Sequence, residues 1–409
     1  MVQRGRVSAL EVGAATAFDQ QRIAAVEPAI VQIGKMVAHK MNPIGRDLIM
    51  QRWNTIQHDL IPELKRECGG LTPKLEKRVH ILDWVRIEEW SVSTWQGIGR
   101  KPHDRSALAN AFIAKAVLGL STTRALIERL AMDRVLKRLC GFSMWKQVPD
   151  EATFSRAFAE LAQAKLAERV HEATVKNYLG DALIGHISRD GTAIEAREKP
   201  AKKVTDTTAP MEGKARRGRP RKDEVRPAKV NRIEQQRSQT LAAMLSDLPT
   251  ICDRGTKSNA QGYKNSWNGY KLHIDTADCG VPVSVLLTSA SVHDSQTAVP
   301  LSTMTASRVT NLYDLMDAAY CSAELQEHSR SLGHVPLIDH NPRGGMKDEF
   351  EPADAIRYKE RTQAERMNGR LKDEFGGRNV RVRGPEKVMS HLMFGMLALT
   401  ADQLMRLFT

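Results

Sequence analysis

Apolar side chains recur at helical spacing through "RSALANAFIAKAVLGLSTTRALIERLAMDRVLKRLCGF" and "PDEATFSRAFAELAQAKLAERVHEATVKNYLG", so the chain from about Ser106 to Leu179 reads as helix. Gly119, Ser121-Thr122-Thr123, Gly141 and Pro149-Asp150-Glu151 interrupt it with residues that stop one helix and cap the next. The result is a set of short helices of helix-turn-helix size. Arg124, Arg129, Arg134, Lys137 and Arg138 would suit such a module to DNA, although the same pattern fits a plain helical scaffold. Residues 1–104 mix helical stretches with loops, and Trp84, Trp90 and Trp95 read as packing residues there.

Beyond Leu179 the period shortens. "DALIGHISRDGTAIEA" predicts a strand ending at Asp190, and "NGYKLHIDTADCGVPVSVLLTSASVHDS" predicts two strands about a turn at Asp278-Cys279-Gly280, with Asp275 assigned to the turn as well. A short helix then starts near Asp294, "VTNLYDLMDAAYCS" is a strand ending at Asp317, "AELQEHSRSLGH" is a helix and "VPLID" a strand. The last element is a long helix in "RYKERTQAERMNGRLKDEFGG", Arg357 to Gly377. Three strands followed by alternating helices and strands make an α/β sheet that mixes an antiparallel hairpin with parallel strands.

On that final helix, taking about 100° per residue from Tyr358, Arg361, Glu365 and Lys372 fall at about 300°, 340° and 320°. Ile356, Ala364, Met367, Leu371 and Phe375 fall together between about 160° and 260°, the apolar face a packed helix needs. Gly376 and Gly377 follow as the stop. The charged stripe reads either as a solvated face or as a working surface.

Charge sharpens the picture. The chain has 409 residues, enough for two or three domains, and a net charge of +13 that calls for an acidic partner. Between Arg197 and Arg237, 14 Lys and Arg stand against 6 Asp and Glu, with several prolines and neither leucine nor aromatic residue, so this stretch reads as a mobile basic loop. Inside it, Arg217-Gly218-Arg219-Pro220 resembles an AT-hook, whose arginines lie in a narrow A·T minor groove. The five cysteines are scattered and never paired as C-x-x-C, which suits reduced thiols. No apolar run reaches about eighteen residues and the start lacks a signal-peptide pattern, so a cytoplasmic, membrane-free protein is expected.

Asp190, Asp317 and Glu365 share a chemical reason for their placement. Mg²⁺ and Mn²⁺ are hard cations that prefer oxygen ligands, and two of them about 3.5–4 Å apart stabilise both the attacking and leaving oxygens of a phosphoryl displacement. Asp314 lies an odd number of residues before Asp317 and faces away, while His293 and Asp294 read as a helix cap that orients the site.

This order of strands and carboxylates resembles the RNase H-like core of bacterial insertion-sequence DDE transposases. Tyr358, Arg361, Glu365 and Lys372 match the family's Y-x2-R-x3-E-x6-K signature, and the resemblance covers about residues 105–409. Asp190 and Asp317 are 127 positions apart and Asp317 and Glu365 only 48, so the insertion lies between the first two strands. The resemblance implies an N-terminal region at 1–104, an all-helical DNA-binding domain at 105–180, and an RNase H-like mixed α/β catalytic domain at 181–409 interrupted by the basic loop at about 197–240. It implies that Asp190, Asp317 and Glu365 bind two Mg²⁺ or Mn²⁺ ions, and that Tyr358, Arg361 and Lys372 meet DNA. The partners would be the element's inverted-repeat ends and target DNA, handled by a homodimer in the bacterial nucleoid. An RNase H-like nuclease without strand transfer and a domesticated DNA-binding regulator are the other readings. Inverted repeats flanking the gene would favour transposition, and loss of one carboxylate would favour the regulator; all three are present.

If the hook reading holds, Arg217→Ala combined with Arg219→Ala will weaken binding to A·T-rich duplex more than to G·C-rich duplex in parallel titrations. Equal losses would leave only a basic loop.

Overall fold

A strand shows its two faces to different neighbours, and Leu183–Glu195 uses both: Ser188, Asp190 and Thr192 share one face and Arg189 points to the other. The computed structural model describes residues 55–91, 102–201, 231–258, 261–342 and 346–408. Before the first strand, β1, come α1 (Ile61–Cys68), α2 (Pro73–Val85), α3 (Arg105–Val117), α4 (Thr123–Met132), α5 (Arg134–Leu139), α6 (Glu151–Gln163) and α7 (Leu166–Leu179). The side chains of Asp104, Thr122, Asp133 and Asp150 cap α3 to α6 by accepting backbone N–H groups at 2.8–3.0 Å. The breaks read at Thr122 and Asp150 fall where caps are, whereas the break at Asp133, between α4 and α5, is an additional one.

After β1 come α8 (Arg232–Arg237), α9 (Leu241–Asp247), β2 (Asp253–Ser258), β3 (Lys264–Ala277), β4 (Pro282–Ser289), α10 (Ser295–Ala306), β5 (Thr310–Met316), α11 (Ala323–Ser331) and β6 (Val335–Ile338). The chain closes with α12 (Pro352–Tyr358), α13 (Thr362–Asp373) and α14 (Pro385–Phe408). The six strands form one mixed sheet: β3 runs antiparallel to β1, β2 and β4, whereas β1, β5 and β6 are parallel. Helices flank this sheet, an arrangement compatible with an RNase H-like core. No described helix is long and apolar enough to cross a membrane.

One apolar core joins the helices to the sheet. Phe394 of α14 lies 5.5 Å from Phe112 of α3, which in turn lies 4.8 Å from Phe158 of α6, and the cluster continues to Ile184, Ile187 and Leu272 of the sheet. A second core, on Ile233, Met244, Val299, Met316, Tyr320 and Leu325, packs α8 to α11 together. Trp84 is buried against Tyr178, with ring centroids 4.8 Å apart, in keeping with a packing role. Trp95, Arg217 and Arg219 lie outside the described residues.

Several expectations need correction. Asp190 does not end β1: Gly191 to Glu195 continue in register with β3, because Gly191 is there for close approach and not for a turn. Asp275 belongs to β3 and is fully buried, not part of the turn. The basic stretch ends in a helix, α8, because Asn231 caps it (3.2 Å to Ile233 N) and Ile233 enters the second core. Net charge alone hides such a single apolar anchor. β2 is an additional strand, and the last helix is α14. The charged helix is not continuous, since a tight turn at Lys359–Arg361 separates α12 from α13 and leaves Ile356 exposed. It does end near the glycines, with Gly376 at φ +81°.

Arg189 and Asp275 face each other directly across β1 and β3, both buried. The guanidinium donates twice to the carboxylate at 2.7 Å, Thr305 of α10 donates to it at 2.6 Å, and Arg189 Nη1 reaches Met316 Sδ at 3.3 Å. Burial alone would lower the arginine's pKa, but Asp275 outweighs it and raises the value. Removing one partner of such a pair strands the other charge, so Asp275→Ala should lower stability by about 3–5 kcal/mol. Urea titration checks this, and Arg189→Met with Asp275→Leu should recover most of the loss. A change below about 1 kcal/mol in the single variant would show that the pair is dispensable.

Candidate active site

The matched rise of a strand and a helix places the site. Two residues along β1 advance about 6.6 Å and four residues along a helix about 6 Å, so alternate strand positions can meet side chains one turn apart. Asn368 Nδ2 of α13 donates to Asp190 Oδ2 at 2.9 Å, and Lys372 Nζ, four residues on, donates to Thr192 Oγ1 at 2.6 Å. On the same strand face, Ser188 Oγ donates to the Glu360 carbonyl at 3.4 Å. The helix therefore lies along the strand, with Ala364, Met367 and Leu371 buried beneath it.

Asp190 sits in a depression of charge. Burial pushes its carboxyl up to about 6, and the nearby Asp317 carboxylate adds to the rise while Arg361 and Lys257 pull against it. Asp317 follows β5 directly and caps the turn at Ala318–Tyr320, accepting from Ala319 N at 2.9 Å. Burial raises its pKa as well, with Asp294 contributing in the same direction. Asp314, three residues earlier, behaves in the opposite way. Burial would raise it, but the hydrogen bond from His334 (3.1 Å) and the charge of Arg189 hold it below the ordinary range.

Asp294 begins α10 without a side-chain cap bond, so the cap expected of it is absent. His293 Nδ1 instead accepts from Ser295 N at 3.4 Å and bonds Ser295 Oγ at 2.8 Å. Asp294 Oδ1 turns toward Lys271 Nζ at 2.8 Å and lies 3.8 Å from His273 Nδ1, a fully buried ring whose pKa burial lowers to about 4. A Cβ on Gly191 would stand 3.1 Å from both Asp294 Oδ1 and His273 Nδ1, so a side chain after Asp190 would have to push these two groups back by a few tenths of an ångström.

Glu365 is 54% exposed, and Arg361 Nη2 holds its carboxylate at 2.6 Å. Arg361 also lies over the Tyr358 ring at 5.9 Å, and Tyr358 packs on Phe350 with its hydroxyl pushed up to about 12 by burial. The structure thus brings Asp190, Asp317, Asp294, Arg361 and Lys257 into one electrostatic neighbourhood and places Lys372 along the adjoining strand. Among the described residues no three His, Cys, Asp or Glu side chains stand together as a finished metal site. Two carboxylates pushed toward protonation by burial and by a neighbouring carboxylate, Asp317 for Asp190 and Asp294 for Asp317, are nevertheless a donor set that a hard divalent cation relieves. Glu365 would join them by giving up Arg361.

Asn368 and Thr192 were not legible as site residues. Asn368 had a usable signal, since it lies one turn after Glu365; Thr192 depends on a helix far along the chain.

Comparison with known families adds two matches. Residues 48–160 match a transposase domain family (DUF772), and residues 185–401 match the transposase DDE domain family. No curated protein and no solved structure is found to match the chain. The DDE-domain match covers more than half of the sequence and spans every side chain of the charged cluster around Asp190 and Asp317, so the chain belongs to the DDE-domain transposases.

Proposed function

We propose that this transposase binds the inverted-repeat ends of its own element, cleaves the DNA and joins the freed 3′-OH to a target, with Asp190, Asp317 and Glu365 holding two Mg²⁺ or Mn²⁺ ions. The observation that carries the reading is the pair of raised carboxylates, Asp190 and Asp317, beside the cations Arg361 and Lys257. Bound there, the ions would supply Lewis-acid stabilisation of the attacking and leaving oxygens. Arg361 answers a second need. A DNA phosphate would compete with Glu365 for its guanidinium, so arrival of DNA would free Glu365 for the site. Lys372 and Tyr358 would flank the strand, and Asp294 with His293 would hold Lys271 and the start of α10 in place.

On this reading residues 105–180 form the DNA-binding domain, residues 181–409 form an RNase H-like catalytic domain, and the basic stretch with Arg217 and Arg219 adds electrostatic grip. The working form would be a homodimer on paired ends, associated with the nucleoid.

Asp190→Asn, Asp317→Asn and Glu365→Gln should each abolish Mg²⁺-dependent cleavage and joining while retaining DNA binding, as assayed on labelled duplex carrying the element's ends. Cleavage by any one of these variants removes that residue from the triad.

Asp190 also makes a prediction about stability. Its folded pKa of about 6 lies above the ordinary 3.8, so folding favours the protonated form. The stability this contributes is full below about pH 3.8 and is lost as pH rises through about 6. At neutral pH without metal the ionised carboxylate therefore costs about 3 kcal/mol, at about 1.36 kcal/mol per pH unit. Asp190→Asn should raise the metal-free melting temperature at pH 7 but not at pH 3.5, while activity is lost. An unchanged or lower melting temperature at pH 7 would contradict the strained carboxylate.

A further inference from the structure

The loop between α5 and α6 displays a tryptophan to solvent. Trp145 is 90% exposed, beside the partly exposed Met144. Single apolar residues at a surface are ordinary, but this loop is held from beneath. The Lys137 side chain, almost fully buried, donates its ammonium to the carbonyls of Met144 (3.3 Å) and Lys146, on either side of Trp145. Phe142 is buried against Phe154, with ring centroids 6.3 Å apart, and Pro149 is buried at the far end. A lysine that gives up hydration to clamp two backbone carbonyls fixes the tip between them. Trp145 is therefore presented, not merely left over.

Charge identifies what it is presented to. From Arg134 to Pro149 the chain carries Arg134, Lys137, Arg138 and Lys146 and no acidic residue, and the flanking Asp133 and Asp150 are engaged as the caps of α5 and α6. Arg134 and Lys146 are exposed. Such a surface repels a second copy of a chain whose net charge is +13 and attracts a polyanion. Aromatic and methionine side chains pack on the sugar and base surface of nucleic acid, and they do so with little regard to sequence.

We propose that Met144 and Trp145 form a rigid wedge that packs against the sugar–base surface of bound duplex DNA, while Arg134 and Lys146 hold the flanking phosphates. The proposal rests on the reading of the chain as a DNA-binding transposase and assigns one contact surface within it.

The test uses the full chain and a fluorescein-labelled duplex of mixed sequence, with anisotropy titrations at several salt concentrations. Trp145→Ala should weaken binding about tenfold without changing the slope of log K against log salt, and Trp145→Phe should retain most of the affinity. Arg134→Ala with Lys146→Ala should lower that slope by about 1.8, two phosphates at about 0.9 each. Unaltered circular dichroism in both Trp145 variants ties the loss to contact. Wild-type affinity in Trp145→Ala would overturn the wedge while leaving DNA binding intact. Sedimentation showing that Trp145→Ala changes the oligomeric state with duplex affinity unchanged would make the tip a protein contact and overturn it equally. Failure of the unaltered chain to bind duplex would sink both the wedge and the DNA reading beneath it.

Discussion

Arg189 is the residue on which the geometry of this molecule turns. It occupies the middle of β1, buried, and ties β3 through two hydrogen bonds to Asp275 while touching Met316 of β5. Asp190 is its neighbour on one strand and Asp317 follows Met316 on another. A single side chain on the hidden face thus sets the relative position of two carboxylates on the open one. Two charges taken from water gain little net stability over apolar residues of the same volume, and in some proteins such pairs serve to specify one arrangement over others. Here the arrangement specified is the register of β3, β1 and β5.

The open face follows from that register. Once Asp190 and Thr192 are fixed two residues apart, a helix whose polar side chains recur every turn can dock along them, which Asn368 and Lys372 do. The carboxylates then separate by environment. Asp314 is satisfied by His334 and belongs to the structure, whereas Asp190 and Asp317 are left in one acidic neighbourhood with their pKa values raised. Groups held away from their preferred ionisation in a cleft are candidates for function, because nothing in the folded state alone rewards the arrangement.

Much of this was legible in the sequence, for identifiable reasons. Helix boundaries at Thr122 and Asp150 were readable because a cap is a local bond between neighbours in the chain, whereas the break at Asp133, inside a continuous apolar pattern, was not. The α/β order was readable because periodicity and turns leave a local mark, and Asp317 does follow a strand as expected, whereas Asp190 lies inside one. The long-range pairings were not readable. Asp275 looked like part of a turn because its partner Arg189 lies 86 residues away. Gly191 looked like a strand end because the crowding that favours glycine there comes from His273 and Asp294, distant in the chain. The helical wheel failed at Lys359–Arg361 because it assumes one pitch throughout, whereas the chain tightens there beside β1, with Ser188 Oγ 3.4 Å from the Glu360 carbonyl. Charge counting likewise missed Ile233, whose apolar surface decides that the end of the basic stretch folds.

On the proposed function the site is two-thirds formed: Glu365 is held by Arg361, and a DNA phosphate would have to draw that arginine away before Glu365 could join Asp190 and Asp317. Metal and DNA should then each strengthen the other's binding, since linkage between two ligands is reciprocal. The most direct measurement is a crystal structure of the chain with duplex DNA and Mn²⁺, using the anomalous signal of manganese to locate the ions. The account predicts anomalous peaks between the carboxylates of Asp190 and Asp317, with Glu365 turned from Arg361 toward them and the Arg361 guanidinium on a phosphate. Manganese bound elsewhere, or at Asp190 and Asp317 with the Arg361–Glu365 pair intact beside bound DNA, would contradict it.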